Sequence, residues 1–233
     1  SMENITANII CRDSEKSIVP CIESLKPAID FINITHTGSK DNTVEVVVEA
    51  CKRLNLSSRI THFKWVDDFA AARNYNFSMA PDSVWMFWLD SDDVLEQAEN
   101  LKKLAANCKP EFGAIWLPYH YAFDEFNNCT TVFIRERLLR CSVGWRWQNR
   151  VHEVVIPNSP TKFVKSNDVA IVHKHSGANS RSERNLSLLR LMHSEEPNDK
   201  RVWLYIAHQN FADANWMEAS KWYLKFCAAN DVV

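Results

Sequence analysis

Glycine is scarce in this chain, with four residues in 233, so few of its turns can rely on a residue without a side chain. Cys-x-x-Cys pairs are absent. The seven cysteines, at 11, 21, 51, 108, 129, 141 and 227, are odd in number and scattered. That pattern excludes a zinc knuckle and a disulfide framework, and it fits reduced thiols in a cytoplasmic setting. No apolar run is long enough to cross a bilayer and no signal peptide is evident, so no membrane span is expected. Strong charge is missing as well: the formal net charge is -2. This excludes a globally basic nucleic-acid binder while leaving room for a local basic patch.

What is present is a large apolar fraction, 46% of residues, with 11% aromatic. A chain of 233 residues with that composition can bury a substantial core, as one large domain or a domain with an appendage. The stretch Trp85-Met86-Phe87-Trp88-Leu89-Asp90-Ser91-Asp92-Asp93 organises the reading. Its unbroken apolar run predicts a strand buried on both faces of a largely parallel sheet. Ligands of such sheets gather at the carboxyl ends of the strands, and a hard divalent cation relieves the mutual repulsion of carboxylates placed there. The plainer alternative is a solvated acidic turn in which Asp93 caps a following helix.

Around that stretch the chain alternates. Strands are expected at Ile5–Cys11, Phe31–Thr35 and Arg59–Lys64, each followed by a helix. The second helix shows Val44, Val47, Val48, Cys51 and Leu54 on one face, with Ser39 or Asp41 as its cap. Gly38 sits in the strand-to-helix turn Thr37–Thr43. Three strand-helix units and a fourth strand predict a right-handed, mainly parallel α/β sheet flanked by helices. Ala114–Phe123 and Thr131–Arg137 predict an antiparallel pair. From Ser180 the pattern is helical. Lys200–Ala212 and Trp216–Ala229 look like one tetratricopeptide-type helix pair, with Trp203 and Trp216 as packing residues. The expected organisation is therefore an α/β domain over 1–179 and a helical segment over 180–233. One such pair cannot bury its own face, so it packs on the domain, on further repeats, or on a second copy in a homo-oligomer.

Taken in order, the motifs resemble family 2 glycosyltransferases of the GT-A fold, in the subgroup with a helical-repeat tail. They are Thr37-Gly38-Ser39-Lys40-Asp41-Asn42-Thr43, Phe63-Lys64-Trp65 through Asp68-Phe69 to Ala72-Arg73-Asn74, Trp88-Leu89-Asp90-Ser91-Asp92-Asp93, and Arg150-Val151-His152-Glu153. The resemblance implies an inverting transfer of a sugar from a nucleotide-sugar donor, with UDP and glucose the commonest case, to an acceptor hydroxyl. It implies that Thr37, Gly38, Asp68, Arg73, Asn74 and Asp90 enclose the nucleotide. Asp92, with Asp90, would bind the Mn²⁺ or Mg²⁺ that bridges the diphosphate. The chain departs from the family by carrying His36 where relatives usually carry Asp, which bears on nucleotide preference. It departs again at Asp13-Ser14-Glu15, where Asn-Glu is usual.

The remaining candidates each have a plain structural alternative. Glu153 is the first candidate for the general base that accepts the acceptor's proton, against a strand-edge Glu paired with Arg150. Asp93 is the second candidate base, against a helix cap. His175 is a candidate third metal ligand. His173 lies on the same side of an extended strand, and either imidazole could equally be a satisfied core or surface group. Trp145, Arg146, Trp147 and Arg150, with Arg135, Arg137 and Arg140, form a basic-aromatic cluster. It fits an acceptor platform, even for a modified nucleobase, against an ordinary strand with a charged outer face. The acceptor classes left open are a glycan, a peptide side chain and a modified nucleobase. Two other functions fit less: a glycosyltransferase-like binding module without activity, and an aspartyl-phosphate phosphatase with Asp90 as nucleophile.

Overall fold

The computed structural model describes residues 4–174 and 179–230. The chain divides into two compact units. The first comprises Ser1–Trp65, Ala71–Trp147 and Val155–Ser176, and the second Val66–Ala70, Gln148–Val154 and Gly177–Val233.

The first unit is built on one curled sheet. Strands β1 (Ile5–Cys11), β2 (Phe31–His36), β3 (Ser58–His62) and β4 (Trp85–Trp88) pair in parallel in the order β3-β2-β1-β4. They are separated by α1 (Ile18–Leu25), α2 (Thr43–Arg53) and α3 (Phe69–Ser78), as three strand-helix units require. The sheet continues beyond β4 as β7-β6-β11-β5, formed by β5 (Asp93–Glu96), β6 (Phe112–Phe123), β7 (Cys129–Arg140) and β11 (Ala170–His173). Here the directions mix: β4 to β7, β7 to β6 and β11 to β5 are antiparallel, whereas β11 and β10 (Lys162–Lys165) run parallel to β6. A short helix α4 (Leu101–Asn107) follows β5, and β8 (Trp145–Gln148) pairs with β9 (Val154–Pro157) in a separate ribbon.

The core lies between the parallel strands and their helices. Ile5, Ala7 and Ile9 of β1, Ile32 and Ile34 of β2, and Trp85 and Phe87 of β4 are at most 1% exposed. They pack against Ile18, Cys21, Ile22 and Leu25 of α1. Helix α2 buries Thr43, Val47, Ala50 and Cys51. Val48, expected on that face, is exposed, because the buried stripe runs one position over. The N-cap of α2 is Asn42, not Ser39 or Asp41, and it makes no side-chain cap bond; Asp41, one residue earlier, accepts from the Thr43 amide at 3.0 Å.

A polar layer crosses this core. The Asn33 amide nitrogen donates to Asn8 Oδ1 at 2.9 Å and to the Asn76 carbonyl at 2.7 Å. The Asn76 amide nitrogen donates to Thr35 Oγ1 at 2.9 Å and to the Asn33 carbonyl at 3.2 Å. Asn8, Asn33 and Asn76 are at most 2% exposed, so these bonds replace water and tie α3 to β2.

The second unit contains α5 (Asn179–Glu195), α6 (Lys200–Ala212) and α7 (Trp216–Ala229). Asp199 caps α6 through the Arg201 amide at 3.0 Å. Trp203 is 8% exposed and donates from Nε1 to the Pro197 carbonyl at 2.8 Å. Trp216, expected as a packing residue, is instead 57% exposed and meets only the edge of Phe211 among the described rings. Arg150 knots the unit's separate segments. Its guanidinium donates to Glu195 Oε1 at 2.6 Å and to the Asp67 carbonyl at 3.0 Å, and its carbonyl accepts from the Phe69 amide at 2.8 Å.

Asn76→Ala should cost about 1–3 kcal/mol, because it removes the buried amide that donates to the Thr35 hydroxyl and to the Ile9 and Asn33 carbonyls. Urea denaturation monitored by circular dichroism would read this as a lowered midpoint with an unchanged slope.

Candidate active site

Three loops leave the carboxyl ends of β1, β2 and β4, and side-chain bonds stitch them together. The Asp13 amide donates to Ser39 Oγ at 3.1 Å, and the Lys40 amide donates back to Asp13 Oδ1 at 2.6 Å. The Ser14 amide donates to Thr43 Oγ1 at 2.8 Å, and Ser14 Oγ meets Ser91 Oγ at 2.9 Å. The loop carrying Asp13-Ser14-Glu15 is therefore the link between the Gly38 turn and the acidic tip. Gly38 has φ 98°, a conformation in which a side chain is strained. Thr37 is buried, and its amide donates to the Cys11 carbonyl at 3.0 Å. Beside this turn the His36 and His62 rings lie 4.8 Å apart. Burial first, then the neighbouring His62, lowers the His36 pKa and favours its neutral form.

The acidic tip does not cap a helix. Asp93 opens β5, and its backbone amide donates to the Asp90 carbonyl at 3.0 Å while its carboxylate accepts from the Asp90 amide at 3.0 Å. The return strand β5 puts Asp93 directly opposite His173 of β11 in antiparallel register. Asp92, Asp93 and His173 then converge, with one ligand atom from each lying within 4.8 Å of the others. His173 Nδ1 is 3.1 Å from Asp93 Oδ1 and 3.6 Å from Asp92 Oδ1. Tyr119 Oη donates to Asp93 Oδ1 at 2.7 Å and lies 3.1 Å from His173 Nδ1. All three members of the group are at most 5% exposed.

Asp90 faces a different way. Arg73 Nη2 donates to Asp90 Oδ1 at 2.7 Å, and the guanidinium is held between the Trp88 and Trp147 rings, 5.1 and 5.0 Å from their centroids. Burial pushes the Asp90 carboxyl up. The charge and hydrogen bond of Arg73, helped by Arg137, outweigh it and hold the group at about 2. The pairing prevails because the Asp90 side chain keeps 40% of its surface in solvent while Arg73 is nearly enclosed. Asp93 moves the other way: burial, and then the neighbouring Asp90 charge, raise its pKa against the hydrogen bonds from His173 and Tyr119. Asn74 supports this wall by donating to the Trp147 carbonyl at 2.9 Å and accepting from its amide at 2.7 Å.

Thr37, Gly38, Arg73, Asn74, Asp90, Asp92 and Asp93 all belong to the first unit, whereas Asp68 and Glu153 belong to the second. Glu153 is half-buried. Asp68 Oδ2 lies 3.9 Å from Arg150 Nη1, and the shortest carboxylate contact of Arg150 is with Glu195. His175 lies outside the described residues. Two members of the basic-aromatic cluster lie too deep to serve a surface platform, while Arg146 is exposed and the others are half-buried. Trp147 is 3% and Arg137 1% exposed. The Arg137 guanidinium lies 4.0 Å from the Trp88 centroid and 4.6 Å from that of Tyr119. Arg140 is spent on the Phe112 and Lys109 carbonyls. Tyr119 carried no local sequence signal, because its partner Asp93 is 26 residues away.

A family model described as glycosyl transferase family 2 matches residues 6–182. The chain is 27% identical over 212 residues to the SPbeta prophage-derived glycosyltransferase SunS of Bacillus subtilis, covering 86% of this chain and 47% of that one. It spans less than half the length of the curated relatives it matches. Among solved structures it is similar to S. aureus TarS, with TM-score 0.54 and 14% identity over 89% of this chain and 43% of that chain. TarS 1-349 in complex with UDP gives TM-score 0.50, with 14% identity over 90% of this chain and 72% of that one. The mannosyltransferase PcManGT from Pyrobaculum calidifontis, in complex with GDP-Man and Mn²⁺, gives TM-score 0.54 and 12% identity over 100% and 77% of the two chains. At these identities the likeness is one of fold, and it agrees with the GT-A arrangement.

Asp90 contributes stability that is present above the ordinary carboxylate pKa of 3.8 and is lost as pH falls toward about 2. In chelator, thermal midpoints of the wild type should therefore fall more steeply between pH 4 and 2 than those of Asp90→Asn. Parallel slopes would mean that Arg73 does not hold the carboxylate.

Proposed function

The chain belongs to glycosyl transferase family 2, and from that premise we propose that it transfers a sugar from a nucleotide-sugar donor to an acceptor hydroxyl with inversion. The observation that carries the proposal is the convergence of Asp92, Asp93 and His173 beside the β4 tip. Two carboxylates and an imidazole suit a divalent cation, and of Mn²⁺ and Mg²⁺ the nitrogen ligand favours the softer Mn²⁺. When bound, such a cation offsets the negative charge that gathers on a departing nucleoside diphosphate. Asp92 would be its principal ligand, with His173 taking the role considered for His175; Asp90, expected as a second ligand, pairs with Arg73 instead.

The chain's own residues then have distinct tasks. Thr37 and Gly38 form the turn against which the nucleotide lies, and Arg73, Asn74 and Asp68 enclose it. Arg73 holds Asp90 ionised at the donor. His36, stacked near His62 beside Gly38, gives the base end a different lining from the carboxylate usual in relatives. UDP bound to TarS and GDP-Man bound to PcManGT support a nucleoside diphosphate donor, and a UDP-hexose is the leading reading. Glu153 is the base. It takes the proton from the acceptor hydroxyl as that oxygen bonds to the anomeric carbon, and the nucleoside diphosphate leaves with the bonding electron pair. Asp93 is less suited to that task, since Tyr119, His173 and the Asp90 amide already occupy its carboxylate.

With Mn²⁺ present, UDP should raise the thermal midpoint of the wild type by mass action, and Asp92→Asn should abolish that rise. Turnover, read as UDP released from UDP-glucose, should fall about 100-fold or more in Asp92→Asn. Glu153→Gln should lose about 100-fold in turnover while keeping the UDP-induced midpoint shift. Full turnover in Glu153→Gln would remove it as the base. A wild type that binds UDP with Mn²⁺ but turns over no nucleotide sugar would be a binding module.

A further inference from the structure

The cation group has an aromatic margin that the reaction as described does not use. Tyr121, two residues beyond Tyr119 on β6, stacks on His173 with centroids 4.9 Å apart and planes 14° apart. Phe133 of β7 meets Tyr121 at 5.4 Å. From the triad outward, exposure rises from 5% at His173 to 40% at Tyr121 and 48% at Phe133. Among the described residues no hydrogen bond reaches the Tyr121 hydroxyl, and no charged side chain pairs with either ring. We infer that Tyr121 and Phe133 form the subsite for a pyranose ring of the acceptor. The inference rests on the transferase reading above.

The chemistry favours a sugar ring. A half-open aromatic pair offers an apolar surface to the C–H face of a pyranose, and the unengaged hydroxyl of Tyr121 offers a polar handle for a ring hydroxyl. The rings begin on the imidazole of the cation group, so a ring held there lies beside the reacting end of the donor. Their outward exposure suits a group that enters from solvent and leaves at every turnover, as an acceptor does. A donor sugar is carried by its diphosphate and needs no open margin.

Saturation-transfer NMR with methyl β-D-glucopyranoside and methyl α-D-mannopyranoside, in UDP and Mg²⁺, tests this directly. Transfer to the ring C–H protons is expected in the wild type. In Tyr121→Ala/Phe133→Ala the glycoside should bind roughly tenfold more weakly, with the UDP-induced midpoint shift unchanged. Because Tyr121 also touches His173, Phe133→Ala alone should show the same direction of change, and it leaves the imidazole covered. Retained transfer in both variants overturns the subsite, as does absence of transfer in a wild type that binds UDP. Weakened binding of UDP-glucose but not of UDP in the variants assigns the rings to the donor and overturns it too. A wild-type dimer in sedimentation that Phe133→Ala dissociates overturns it in favour of an interface. Transfer to the glycosides without any binding of UDP keeps the subsite and instead sinks the nucleotide reading.

Discussion

Three carboxylates within four residues, at the buried end of a strand, are the constraint around which the first unit is arranged. Asp90, Asp92 and Asp93 repel one another, and burial of two of them removes the water that would screen that repulsion. The counter-groups come from the neighbouring strands in turn. The order β4-β7-β6-β11-β5 puts the strands that carry Arg137, Tyr119, His173 and Asp93 side by side beyond β4. Helix α3 adds Arg73, 2.7 Å from Asp90. The change from parallel to mixed strand order past β4 is thus what brings a guanidinium, a phenol and an imidazole to one acidic tip.

The two kinds of compensation differ in strength, and that difference sorts the acids. Asp90 has a full charge partner at hydrogen-bond distance and partial solvent access, so its anion is favoured. Asp93 has hydrogen bonds but is enclosed, so its pKa is pushed up instead. Environments that push neighbouring carboxyls apart in this way are a common means of giving one site two functions. Arg137 is enclosed by the rings of Trp88 and Tyr119, and its Nη1 donates to the Trp88 carbonyl at 3.4 Å. A buried cation of this kind is costly in isolation and is tolerated here because the acids nearby need it.

The parallel half of the fold was legible in the sequence because its signals are local. Apolar runs of strand length, helical stripes and a glycine turn each occupy a few consecutive residues. The Asp90–Asp92 tip was legible for the same reason. Local signals misplaced what depends on distant neighbours. Asp93 was weighed as a second base against a helix cap, but its partners Tyr119 and His173 lie in strands 26 and 80 residues later. Trp147 and Arg137 looked like a surface platform because their polarity and ring chemistry are ambiguous until burial is known. Trp216 looked buried because a packing position in a repeat looks the same whether or not a partner covers it.

What the sequence determined by itself was therefore the alternation of strands and helices, the apolar core and the placing of an acidic tip at a strand end, since these follow from chain periodicity. What only the tertiary structure decided was which groups face that tip. Lateral strand order, not sequence spacing, sets the distances between side chains on different strands. That order made His173 and Tyr119 neighbours of Asp93 and left Tyr121 and Phe133 open at the margin.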